Sequence, residues 1–94
     1  ILHLPGDKMR MPQLASNPKG ETALVYAEIK QEGERYFKQI GLIIKDVKGN
    51  LKKSFVSDPA YDCSYPAIIW NGKSWEIAFE ANKDSMQQIQ VIFK

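Results

Sequence analysis

The apolar residues of this chain recur at every second position. Between Thr22 and Ile29, the residues Ala23, Val25, Ala27 and Ile29 share one face, against Thr22, Leu24, Tyr26 and Glu28 on the other. The same alternation sets Ile40, Leu42 and Ile44 against Gln39, Gly41, Ile43 and Lys45, and Trp75, Ile77, Phe79 and Ala81 against Ser74, Glu76, Ala78 and Glu80. It returns in Ile89, Val91 and Phe93, opposed by Gln88, Gln90, Ile92 and Lys94. A strand sends successive side chains to opposite faces, so a period of two marks half-buried strands. No window of helical length carries a helical period. The fold class expected is all-β, an antiparallel meander of about seven strands with under about 10% helix.

Turn chemistry divides the strands. Asn17-Pro18-Lys19-Gly20, Gln31-Glu32-Gly33-Glu34, Lys48-Gly49-Asn50, Asn71-Gly72 and Asn82-Lys83-Asp84-Ser85 are the punctuation. Asn71-Gly72 reads as a type I′ hairpin, because both residues tolerate positive φ. Strands are expected near residues 11–16, 21–30, 35–46, 51–57, 66–70, 74–81 and 86–93. Pro59 and Pro66 are expected to keep Asp58–Tyr65 as a long loop. In residues 1–10, Ile1-Leu2-His3-Leu4 reads as a short edge strand or an irregular start.

The chain also resembles itself. Pro12–Asn17 lies over Pro66–Asn71, Gly20–Ile29 over Gly72–Ala81, and Lys38–Lys45 over Gln87–Lys94, with eight of 24 paired positions identical. The offset drifts from 54 to 52 to 49, which places the length changes in turns. This alignment matches Val25 to Ile77, Glu28 to Glu80 and Ile40 to Ile89. A single domain or fragment, 1–94, therefore contains one repeat at about 12–57 and a second at about 66–94. One repeat has the length and strand order of a β-propeller blade. Two such units cannot close a ring, which leaves a piece of a propeller, an assembly of copies, or a two-sheet sandwich. The edge 86–93 lacks a fourth strand and is expected to pair with residues 1–4 or with another segment. Ile89, Val91 and Phe93 are expected to face inward.

The residue inventory narrows the chemistry. His3 is the only histidine and Cys63 the only cysteine, so an intrachain disulfide and a cysteine-based metal site are excluded and no catalytic histidine is assigned. The glycines never cluster as a phosphate loop requires. Thirteen Lys and Arg against eleven Asp and Glu give a net charge of +2, too weak to point to nucleic acid or an anionic membrane. No apolar run approaches the roughly 20 residues of a membrane span. Ile1 opens the chain without a basic leader, which reads as a processed or trimmed start. No cofactor and no metal is expected.

The order of proline, short apolar strand, Asn turn, long strand with an acidic residue, and Ile/Val strand resembles repeats of sialidase-like β-propellers. Within it, Ser16-Asn-Pro-Lys-Gly20-Glu-Thr22-Ala23 is similar to the Asp-box turn of that family, Ser-x-Asp-x-Gly-x-Thr-Trp. It departs where Pro18 stands for Asp and Ala23 for Trp. Asn71-Gly72-Lys73-Ser74-Trp75 keeps only the end of the motif. The resemblance implies a blade-like fold. It does not supply a sialidase site, which uses three arginines and a Tyr/Glu pair, because this chain has two arginines, Arg10 and Arg35. Trp70-Asn-Gly-Lys-Ser-Trp75 is similar to turns of small fucose-binding lectins, whose two-blade chains assemble as trimers.

Candidate ligand contacts follow from chemistry and position. Trp70 beside Asn71 offers a ring face for a sugar and a polar neighbour. Tyr61, Asp62 and Tyr65 lie in the expected long loop, where binding residues concentrate. Trp75, in register with Ile77 and Phe79, is expected in the core. Glu28 and Glu80 are weighed as a glycosidase pair against solvated strand-face charges, and Cys63 reads as a loop thiol. The function expected is a non-catalytic recognition module binding a glycan or a protein partner, possible homo-oligomerisation through strand edges included, with a secreted or periplasmic setting preferred. The alternatives are a fragment of a sialidase-like hydrolase and a structural assembly domain.

Overall fold

The structure is a computed structural model, and residues 8–94 are described. The candidate strand Ile1–Leu4, with His3, lies outside them. Seven antiparallel strands form two sheets, and no described residue is helical. The first sheet holds β1 (Met9–Ser16), β2 (Thr22–Glu32), β3 (Arg35–Lys45) and β4 (Leu51–Phe55) in sequential order. The second holds β5 (Asp62–Trp70), β6 (Trp75–Lys83) and β7 (Met86–Phe93). The all-β meander expected from the period of two is the architecture found.

Side-chain capping closes the turns. The Asn17 Oδ1 accepts the Lys19 and Glu21 amides at 3.1 and 3.0 Å, and Gly20 takes φ of 83°. Asp46 repeats the device with the Lys48 and Asn50 amides, both at 2.9 Å, before Gly49. Asn71 uses it as well, accepting the Lys73 and Ser74 amides at 2.8 Å. This corrects the expected type I′ hairpin. Only Gly72 takes positive φ, because the Asn71 side chain supplies an Asx turn and the loop spans residues 71–74.

The expected loop 58–65 is shorter than read. Asp62, Cys63 and Ser64 already pair with Asn82, Ala81 and Glu80. Pro66 is accommodated because β5 is an edge strand of its sheet and bulges there: Tyr65 and Pro66 together oppose Phe79, with Tyr65 at φ 54°. Sheet one has the same feature at the same place. Met11, at φ 56°, and Pro12 together oppose Tyr26.

These bulges correct the register of the internal comparison. Tyr26 matches Phe79, an offset of 53, so Leu24 matches Ile77 and Glu28 matches Ala81. The earlier alignment of Val25 with Ile77 and Glu28 with Glu80 was one residue out. The β1–β2 loop has five residues (17–21) and the β5–β6 loop four (71–74), which absorbs the slip. Both following hairpins turn on two residues, Gly33-Glu34 and Asp84-Ser85, the second hairpin being two rungs shorter. By this register Ile40 still falls on Ile89, although Ile40 is buried in the core and Ile89 is exposed.

The sheets pack face to face. Ala23, Val25, Ala27, Ile40 and Leu42 of sheet one meet Cys63, Ile68, Trp75, Ile77, Phe79 and Ala81 of sheet two. Trp75 is in the core as expected. Cys63, expected as a loop thiol, is fully buried because β5 starts early. Ile89, Val91 and Phe93 are the largest departure. Across β6 they pair with Glu80, Ala78 and Glu76, so they share the outer face and are 68%, 53% and 60% exposed. Gln90 and Ile92 point towards the core instead. Among the described residues no strand pairs with the free edge of β7.

Candidate functional site

β5 carries or adjoins every residue expected to contact a ligand, and it separates them. Trp70 and Asn71 lie at one end and Tyr61 and Asp62 at the other, about 26 Å apart along an extended strand. Tyr65 stands between them on the outer face, 69% exposed. They do not form one pocket.

At the first end, Trp70 meets Trp75 edge to face, with ring centroids 5.0 Å apart. The Lys19 ammonium lies 5.2 Å from the Trp70 ring. The Asn71 Nδ2 donates to Glu76 Oε1 at 2.9 Å, while its Oδ1 closes the turn. Both candidates are occupied in tying turns to the sheets.

At the second end, Asp62 joins the two sheets. Its Oδ1 accepts the Lys38 backbone amide at 2.7 Å and lies 3.2 Å from the Lys38 ammonium. Arg35 Nη1 donates to the Pro59 carbonyl at 2.9 Å, and the Lys83 ammonium sits 5.6 Å from the Tyr61 ring. A polar cleft of about 310 Å3 opens here between Arg35, Asp62, Asn82, Lys83 and Asp84. Lys38 and Ser57, whose Oγ accepts the Ile40 amide at 2.8 Å, are inter-element ties that sequence reasoning missed. A hydroxyl or an amide in this role leaves no periodic trace.

The two glutamates weighed as a pair lie on opposite outer faces of the stack. Glu28 is on sheet one beside Lys30 and Lys53, at 2.9 and 3.4 Å. Burial acts to raise its carboxyl, but the two ammonium groups outweigh it and hold the group below its ordinary value. Glu80 is on the outer face of sheet two. That geometry leaves them no shared substrate. Burial pushes the Cys63 thiol up, against nucleophilic use.

The outer face of sheet two is the feature that sequence reasoning misplaced. Tyr65, Ile69, Ile89, Val91 and Phe93 are all more than half exposed on it. Ala67 and Ala78 floor a shallow groove of about 250 Å3, walled by Ile69, Val91 and Glu76. A second depression of about 140 Å3 continues it between Tyr65, Glu80 and Ile89. The corrected register gives this face a meaning. Its counterparts in sheet one are Met11, Gln13, Ala15, Val25, Ile40, Leu42 and Ile44, the face that sheet two covers. Register counterparts on the two sheets thus point the same way rather than towards each other. No family model, no curated protein and no solved structure matches this chain.

Proposed function

We propose that this chain is a non-catalytic recognition module, built from two tandem propeller-blade-like repeats, that binds a protein surface through the outer face of its second sheet. One observation carries the reading: that face exposes Tyr65, Ile69, Ile89, Val91 and Phe93 around Glu76 and Glu80, while its counterpart in the first sheet is covered by a neighbouring sheet. Matched bulges, matched Asx turns and the common stacking sense support the blade-like repeat. A symmetrical sandwich would bring counterpart faces against each other, and here they point the same way. A protein surface is favoured over a glycan because Trp70 and Asn71 are engaged in turn contacts, whereas Ile89, Val91 and Phe93 run exposed along β7 with Ile69 across the Ala67–Ala78 groove. Patches of this kind mark interaction sites.

The test compares Val91→Asp with Trp70→Ala. Removing the apolar face should abolish self-association or, if the chain is monomeric, the binding of an environment-sensitive apolar dye, with the circular dichroism spectrum unchanged. Saturable binding on a glycan array that is lost in Trp70→Ala and kept in Val91→Asp would establish the sugar-binding alternative instead.

A further inference from the structure

We propose that the free edge of β7 pairs with β7 of a second copy of this chain, antiparallel about a two-fold axis through Gln90, so that the second sheets of the two copies become one continuous sheet. This pairing uses the edge of sheet two rather than its outer face, and it does not depend on the reading above.

Hydrogen-bond parity defines the edge. Lys94 and Trp75 exchange backbone hydrogen bonds, the Lys94 amide donating at 2.9 Å and the Trp75 amide at 3.5 Å. In an antiparallel strand, alternate residues aim their backbone groups to the same side. Ile92, Gln90 and Gln88 therefore also bond to β6, while Phe93, Val91, Ile89 and Gln87 turn their N–H and C=O groups away from it. Sheet one shows what that side of the strand takes. Ile40, the counterpart of Ile89, donates its amide to Ser57 Oγ at 2.8 Å and accepts the Val56 amide at 2.9 Å. Leu42 and Ile44, the counterparts of Val91 and Phe93, turn the same way, to Ser54 and Lys52 of β4. Among the described residues no strand pairs with this side of β7.

Edge strands are kept from other chains by charge, proline or bulges. β1 and β5 bulge at Pro12 and Pro66, and the five residues of β4 include Lys52 and Lys53. β7 is eight residues long, unbroken in register, and without charge or proline from Met86 to Phe93. β5 carries the packing over β1, β2 and β3, and β7 lies beyond β6 on the far side of the sheet. Among the described strands, pairing β7 with β7 is the combination that joins two unguarded edges.

Self-pairing also satisfies register and charge. With Gln90 on the axis, Ile89 lies opposite Val91 of the second copy and Gln87 opposite Phe93, so each outward-turned group meets a partner. Gln88 opposes Ile92 and Lys94 opposes Met86, so no like charges meet. Directly opposite side chains share a face, and the exposed Ile89 and Val91 become apolar cross-strand pairs. Glu76 and Glu80 of one copy stay at least three strand spacings, about 14 Å, from those of the other, beyond the screening length at physiological salt. Such an interface is isologous.

Val91→Pro removes an outward N–H but leaves the β6 ladder intact and an apolar side chain on the outer face, so the circular dichroism spectrum and apolar-dye binding should match wild type. Mass would be measured for the full chain by light scattering over a dilution series from about 1 mM to about 1 μM. Wild type should be dimeric at the top of that range and monomeric at the bottom, as a small interface implies. Val91→Pro should weaken association at least about 100-fold. Gln90→Cys, on the axis, should oxidise to a disulfide-linked dimer at least about tenfold faster than Gln88→Cys, which would face Ile92. Cys63 is fully buried and does not compete. A wild-type monomer throughout overturns the pairing, and protected Ile89 and Val91 amides in that monomer would give the edge to residues 1–4 instead. Association unchanged in Val91→Pro would move the contact to the outer face, which sinks the edge pairing and leaves the reading above standing. Association lost in Val91→Pro, with Gln90→Cys no faster than Gln88→Cys, would mean that the edge takes a different strand and that the two-fold pairing is wrong.

Discussion

The ring of Tyr26 occupies the space that a Cβ on Gly41, its cross-strand partner, would need. Tyr26 lies fully buried on the outer face of sheet one, and among the described residues its hydroxyl has no hydrogen-bond partner. Gly41→Ala should therefore force the ring aside and cost about 1–3 kcal/mol, read as a lower urea midpoint. Tyr26→Phe removes an unpaired buried hydroxyl and should stay within about 1 kcal/mol of wild type, or exceed it. A Gly41→Ala variant as stable as wild type would mean that the ring moves freely.

Loop parity decides which strand faces are legible in the sequence. In β2 and β3 the inward sets, Ala23, Val25 and Ala27 with Ile40 and Leu42, were legible because odd positions pair with even ones across a two-residue turn. The hairpin at Asp84-Ser85 is also two residues long, so Ile77 must pair with an even position, Ile92. Assigning Ile89, Val91 and Phe93 to the interior followed apolarity and overlooked this parity. The exposed face was thus written in the chain but misread. The slip at β6 had a similar source, since the Glu28 and Glu80 identity outweighed a one-residue difference in loop length. The early start of β5 was hidden by Pro66, whose bulge depends on an edge position that the local sequence does not report. The Asp62–Lys38 tie joins residues 24 apart and has no sequence signature at all.

That tie is testable. Asp62→Ala removes the acceptor of the Lys38 amide between the sheets and should cost about 1–3 kcal/mol. Asp62→Asn keeps an oxygen in place and should recover part of the loss. Amide exchange at Lys38 should quicken more in the alanine variant. Equal behaviour of both variants, with Lys38 exchange unchanged, would return Asp62 to the list of free surface carboxylates.

Asp84 occupies the first loop position of its hairpin at φ 56°, where the first hairpin has Gly33 at φ 60°. Positive φ at that position favours glycine in a two-residue turn. Asp84→Gly should raise stability by about 0.5–1 kcal/mol, because strain relieved in the native turn exceeds the entropy glycine adds to the unfolded chain. A lower thermal midpoint would show that the aspartate side chain stabilises the turn by more than its backbone strain costs.

The ion cluster on the outer face of sheet one predicts a pH response. Burial tends to raise the Glu28 carboxyl, yet Lys30 and Lys53 together hold it below its ordinary value. A carboxyl depressed in the native state binds its proton less readily there than in the unfolded chain. Its contribution is complete above the unfolded value, about 4.3, and is lost as pH falls through the lower native value. Stability should therefore decline as pH drops below about 4.3, and Glu28→Gln should make that decline shallower. At neutral pH the same variant should lose a few tenths to about 1 kcal/mol, as expected for a partly screened pair. Urea midpoints measured at intervals from about pH 6 to pH 3 would show it. Parallel curves for wild type and Glu28→Gln would mean that the lysines contact the carboxylate without favouring its charge.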